Sequence, residues 1–198
     1  MPCGECFGEK MKKFFLILIT VVFGAAADCS ELHSRIDAVN NAYRHNNIGL
    51  DYVRERYYYG AIKEFQIAIN LNPDTQATSV YYNNLGKTYI KIGYPGLAAE
   101  CFEKAVKQYP LNFEYYDNLV DAYARKGVVG AKLKQYKANR KSYLDDVIIG
   151  LLYEAKGNVS TAVTVYDDFC AREPDLVITP AVKKRIRKLT EKSRTFRD

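Results

Sequence analysis

The apolar positions of this 198-residue chain recur in a fixed order. Ile48, Gly49, Tyr52, Ala61, Phe65, Ala68 and Pro73 return 37 residues later as Leu85, Gly86, Tyr89, Ala98, Phe102, Ala105 and Pro110. They return again 64 residues further on, as Ile149, Gly150, Tyr153, Ala162, Tyr166, Phe169 and Pro174. Identity and spacing repeat together. The order predicts two antiparallel helices per unit, the second ended by a Pro, which lacks an N–H and clashes with the turn before it. Such a unit buries its apolar face only by stacking on copies of itself.

A third unit is expected over residues 113–142, between the second and fourth copies. Its first helix is carried by Tyr116, Leu119, Ala122 and Tyr123 and stopped by Gly127, whereas its second keeps only Ala131, Tyr136 and Ala138 and has no closing Pro. The unit is about one helical turn shorter than the others, a deletion that preserves which face looks inward. Residues Asp74 to Ser79 read as a polar surface insertion between the first two units. After the fourth unit, Thr179 and Pro180 form a helix start, and Val182, Ile186 and Leu189 then share one stripe. That amphipathic helix, within 177–198, is expected to cap the array.

This spacing resembles the tetratricopeptide repeat (TPR), a helix-turn-helix unit of roughly 34 residues. The resemblance implies an all-α fold, a right-handed solenoid of about four TPR units at 42–75, 79–112, 113–142 and 143–176, with a lead-in helix at 28–41. Gly49, Gly86 and Gly150 on first helices and Ala61, Ala98 and Ala162 on second helices would sit where the paired backbones come closest, with Tyr52, Tyr89 and Tyr153 between helices.

Ahead of the repeats, Lys12 and Lys13 precede the apolar run Phe14 to Phe23 and then Gly24 to Ala27, the order of a secretory signal peptide. Export with cleavage after Ala27 is expected, giving a periplasmic or secreted protein. Met11 is then the natural start and residues 1–10 an upstream extension, so Cys3 and Cys6 carry no redox reading. Cys29 would fall next to the new terminus, where a lipid anchor is attached in bacterial lipoproteins, although Asp28 before it is neither small nor neutral. Cys101 and Cys170, on second helices of different units, are expected beyond disulfide reach and buried as small apolar residues.

Charge is local. Residues 183–198 hold eight Lys or Arg against Glu191 and Asp198, so the tail alone matches the +6 of the whole chain. Lys183, Lys184, Arg185, Arg187 and Lys188 are candidates for contact with an anionic surface, and nucleic acid is a poor expectation for an exported protein. No Gly-rich phosphate loop, nucleophile motif or metal-ligand spacing occurs, so neither an enzyme nor a cofactor or metal is expected. Of the two histidines, His33 lies in the lead-in and His45 reads as a packing residue; Asp145 with Asp146 and Asp167 with Asp168 read as solvated charges.

Binding remains. By the resemblance, first helices line a concave groove, and Asn47, Asn84 and Asn118 would form an inward row broken at Ile148. An amide has one acceptor and two donors, enough to satisfy the backbone of an extended peptide without reading its sequence. Around the row lie Tyr43 and Leu50, then Lys87 and Lys91, then Asp117 and Asp121, then Leu151 with Leu144 and Val147. The expected function is a non-enzymatic scaffold that binds a protein or extended peptide in this groove. One alternative is an accessory subunit that carries a small ligand or assists a transporter through an apolar pocket at Leu151; the other is a lipid-anchored envelope assembly factor using Cys29.

Overall fold

The computed structural model describes residues 34–195, a run of helices and short connections with no strand among the described residues. The segment read as a signal peptide, with Cys3, Cys6, Cys29 and His33, lies outside the described residues. The helices are α1 (34–54), α2 (Tyr58–Leu71), α3 (Gln76–Lys91), α4 (Pro95–Gln108), α5 (Phe113–Lys126), α6 (Val129–Ala138), α7 (Asp145–Ala155), α8 (Val159–Arg172) and α9 (Thr179–Thr195). They pair as four hairpins stacked in chain order, with α9 against α8. The part of the lead-in that is described is the first turns of α1 rather than a separate helix.

Each hairpin turns the same way. The carbonyls of Tyr52, Tyr89, Tyr123 and Tyr153 accept bonds at 2.8, 2.9, 3.0 and 2.9 Å from the N–H five residues on, at Tyr57, Tyr94, Val128 and Asn158. This satisfies a carbonyl that the helix end would otherwise orphan, and it requires a residue with positive φ just before the donor. That residue is Gly93, Gly127 or Gly157 in three units and Arg56, at φ 62, in the first.

The repeated glycines have a measurable cause. A Cβ on Gly49, Gly86 or Gly150 would lie 2.6, 2.6 or 2.3 Å from the ring of Phe65, Phe102 or Tyr166 on the paired helix. Those rings are 0 to 1% exposed. The core is therefore serial. One cluster joins Ala42, Ala61, Phe65, Ala68 and Leu85, and a larger one runs from Ala98 and Phe102 through Leu119, Ile148 and Phe169 to Ile178 and Val182. Tyr89 packs against both.

Two expectations need correction. The polar stretch 74–79 is not all loop: α3 begins at Gln76, and Thr75 caps it, its hydroxyl accepting from Thr78 N–H at 3.3 Å while Thr75 N–H donates to Thr78 Oγ1 at 3.1 Å. Thr78 and Ser79 are buried, so a polar composition here marks a cap and an added turn. Nor is Asp146 a solvated charge. It is 3% exposed and pairs with both Arg140 and Arg172, while Asp145 Oδ2 accepts from the N–H groups of Lys141 at 2.6 Å and Ser142 at 3.0 Å. These contacts anchor the segment after α6, which has 10 residues where α2, α4 and α8 each have 14.

Candidate functional site

First helices lie side by side, and their shared face is where the expected groove residues fall. Asn84 Nδ2 donates to Asn46 Oδ1 at 2.8 Å, and Asn118 Nδ2 donates to Asn83 Oδ1 at 2.8 Å. Asn46 and Asn83 are 5% and 4% exposed. Each stitch thus joins one unit's first helix to the next, spending part of the amide capacity that a ligand backbone would use. Asn46 and Asn83 were missed by sequence reasoning, although they share the 37-residue offset of the core positions. Asn46 Nδ2 also reaches Asn47 Oδ1 at 3.4 Å.

The third stitch fails. Asp117 holds the place of Asn46 and Asn83, but the position facing it on α7 is Ile148, which is 1% exposed and offers no donor. Arg185 of α9 substitutes. Its guanidinium donates through Nε to both Glu154 carboxylate oxygens at 3.1 and 3.0 Å, and its Nη2 lies 2.9 Å from Glu154 and 3.4 Å from Asp117. Arg185 therefore does not belong to the outward basic face expected from sequence; it crosses the C-terminal end of the groove. Burial raises the Asp117 pKa above the ordinary carboxylate value in spite of Arg185 beside it. With Val120, Asp121, Ala124, Leu151 and Ala155, these groups line a cleft of about 250 Å³.

Other groove charges are also matched within the chain. Lys87 pairs with Glu114, and Asp121 with Arg125 at 2.7 Å. The Lys87 hydrogen bond, aided by Asn118 and Asn83, holds the Glu114 carboxyl below its ordinary pKa. Lys91 is exposed, Tyr43 is 63% exposed, and Asn47 and Leu50 are half-buried. Val80, at 42%, occupies the Tyr43 place in the next unit and was not singled out beforehand. The apolar end expected at Leu151 and Val147 is core instead, at 1% and 0% exposure, because α7 is wedged among its neighbours and not laid open beside them. The exposed groove residues without an ion pair among the described residues, Tyr43, Val80 and Lys91, lie in its N-terminal half.

Cys101 and Cys170 are buried free thiols, and burial pushes both pKa values up, Cys101 to about 12. His45 Nδ1 lies 2.6 Å from Glu64 Oε2, tying α1 to α2. Among the described residues, no three His, Cys, Asp or Glu gather to hold a metal, and no helix is long and apolar enough to cross a membrane.

Residues 79–112 match the model of the tetratricopeptide repeat family. The second unit is a tetratricopeptide repeat. The match spans the same residues that the internal alignment marks as unit two, and the other units share its hairpin turn and, in units one and four, its Gly-to-ring contact. No curated protein matches the chain. Solved structures similar to it include the MamA protein (20% identity, TM-score 0.47, covering 77% of this chain and 89% of that one). TTC0263, a thermophilic TPR protein of Thermus thermophilus, is 20% identical with TM-score 0.44, over 77% of this chain and 82% of that one. YrrB, described as a TPR protein with an unusual peptide-binding site, is 22% identical with TM-score 0.43, over 72% of this chain and 74% of that one.

Proposed function

We propose that this protein is a non-enzymatic scaffold that binds an extended segment of another protein along the N-terminal half of its concave face. The observation that carries this reading is the contrast in ion pairing along one groove. Tyr43, Val80 and Lys91 are exposed on α1 and α3 with Asn47 half-buried among them, whereas on α5 and α7 the acids, though partly exposed, are matched by Lys87, Arg125 and Arg185 and the apolar residues are buried. An open face with aromatic, amide and single cationic groups suits a peptide held mainly by its backbone. The asparagine stitches hold the spacing of first helices, so Asn84 and Asn118 act on the partner through the shape of the groove.

The working place we propose is the cell envelope, reached by the Lys12–Lys13, apolar and Ala-rich leader, with Cys29 as the site of a lipid anchor if one is attached. The test is site-specific photo-crosslinking in the native host. A crosslinker at Tyr43 or Lys91 should capture a discrete partner that one at Lys104, on the second helix of unit two, does not. Equal capture from both faces, or none from the groove, would overturn the groove assignment. The intact mass of the mature protein tests the location: a start at Asp28 is expected, a start at an acylated Cys29 would replace it with the lipid anchor, and retention of Phe14 to Phe23 would overturn export.

A further inference from the structure

We propose that the outer face of α9 docks on an anionic phospholipid bilayer surface. Capping the array requires only an apolar inner stripe and a polar outside. The inner stripe is present: Ile178 and Val182 are 1% and 0% exposed, with Ile186 and Leu189 packed on the same core. The outside is far more one-sided than capping needs. Lys183, Lys184, Arg187 and Lys188 are all exposed, and none of them forms an ion pair among the described residues.

The helix gains nothing from this arrangement. Lys183 with Arg187 and Lys184 with Lys188 are like charges four apart, which repel, and no acid occupies the first turn, where the helix dipole favours one. Elsewhere the exposed cations Arg54, Lys87 and Arg125 are matched to acids, and unmatched ones such as Lys63, Lys91 and Lys107 stand singly, not four together on one helix face. Asp167 lines the shallow cleft beside Lys183 and Arg187, Glu191 follows Arg187 by one turn, and Lys188 acts on Asp117, so the four cations outnumber the three acids around them. The face lies on a single helix, the last among the described residues. Val177, immediately before α9, is 69% exposed and lines a separate cleft with Ala181, Glu114 and Asp117. Four exposed cations on one helix face match the charge of an anionic bilayer surface.

The test measures partitioning of the full chain onto vesicles of phosphatidylglycerol with phosphatidylcholine and onto vesicles of phosphatidylcholine alone, at about 150 mM salt, where long-range attraction is screened. The ratio of the two isolates the charge contribution from any apolar insertion. The variant Lys183→Gln, Lys184→Gln, Arg187→Gln and Lys188→Gln should lower that ratio by at least about thirtyfold, since each cation near such a surface contributes on the order of fivefold. A control with the same loss of charge, Lys63→Gln, Lys107→Gln, Lys126→Gln and Lys141→Gln, should lower it by less than about threefold. Unchanged thermal melting of both variants shows that the fold survives. Equal losses in the two variants, no loss in the first, or tighter tail-dependent binding to duplex DNA or polyglutamate than to anionic vesicles would each overturn the proposal.

Discussion

Units two and three differ in one close contact, and the difference propagates through half a hairpin. In unit two, Gly86 lets the Phe102 ring press on the backbone of α3, and α4 runs its full 14 residues. In unit three the Gly place is Val120, the ring place is Tyr136, and α6 has only 10 residues. The first helix and its turn are nonetheless the same in both, down to the bond from the tyrosine carbonyl. What replaces the missing contact is polar: Asp146 between Arg140 and Arg172, and Tyr123 donating to Glu103, which also meets Lys132 at 3.0 Å. A repeat can therefore lose its closest approach if its neighbours hold the shortened helix in place.

Moving unit three's residue into unit two should cost the most stability. Gly86→Val places side-chain atoms where a Cβ already meets Phe102 at 2.6 Å, so either the ring leaves its rotamer or the hairpin opens. The expected loss is roughly 3 kcal/mol by urea denaturation, at the top of the range for overpacking. The reverse change, Val120→Gly, should not stabilise unit three, because α6 is not poised to close. A loss below about 1 kcal/mol for Gly86→Val would mean that the glycine is not what sets the approach.

The polar substitute is expected to matter less. Asp146→Ala removes a buried carboxylate from between two arginines, but their side chains are 45% and 48% exposed and rehydrate readily, and Arg172 keeps its bond to the Asp168 carbonyl. About 2 kcal/mol is expected, below the figure for a fully buried pair. Hydrogen exchange should rise first in α6 and the 139–144 linker; uniform change across the chain would argue against a local clamp.

The repeat pattern carried almost all of the fold, because Gly, Ala, aromatic and Pro each mark a steric requirement that recurs unit by unit. It failed where a residue's role depends on a partner far away in sequence. Asp146 reads as a surface acid until Arg140 and Arg172 are brought to it, and Arg185 reads as one more tail cation until Ile148 leaves Asp117 without an amide. The Asn row was legible as a row; that its amides point partly at one another rests on the offset of one residue between Asn46 and Asn47, which spacing alone does not resolve. Leu151 was placed in the groove by its register and is core because α7 is surrounded on several sides.

A smaller effect sharpens the comparison of turns. Arg56 holds the left-handed conformation that glycine supplies in the other three units. Arg56→Gly should raise stability by roughly 0.5–1 kcal/mol, the steric relief at φ 62 outweighing the greater chain entropy of glycine. A drop in melting temperature would show that the Arg56 side chain contributes contacts worth more than the strain.

The smallest expected effect separates two acids three residues apart on α5. Glu114 is held below its ordinary pKa, first by the hydrogen bond from Lys87, with Asn118 and Asn83 adding to it. Its folded state thus binds a proton less readily than its unfolded state, so its contribution is present above the unfolded pKa and lost as pH falls through the lower folded value. Asp117 is shifted the other way, chiefly by burial, with Glu154 and Asp121 adding to the shift and Arg185 and Lys188 opposing it. Its folded state binds a proton more readily, so its contribution favours folding below the unfolded pKa and fades as pH rises through the folded one. Both groups are partly exposed, which limits each to a few tenths of a kcal/mol after screening. Urea midpoints measured from about pH 6 down to about pH 3 should show Glu114→Gln losing less stability on acidification than the parent, and Asp117→Asn losing more. The same sign of change in both variants would mean that the Lys87 and Arg185 networks do not govern these two carboxyls.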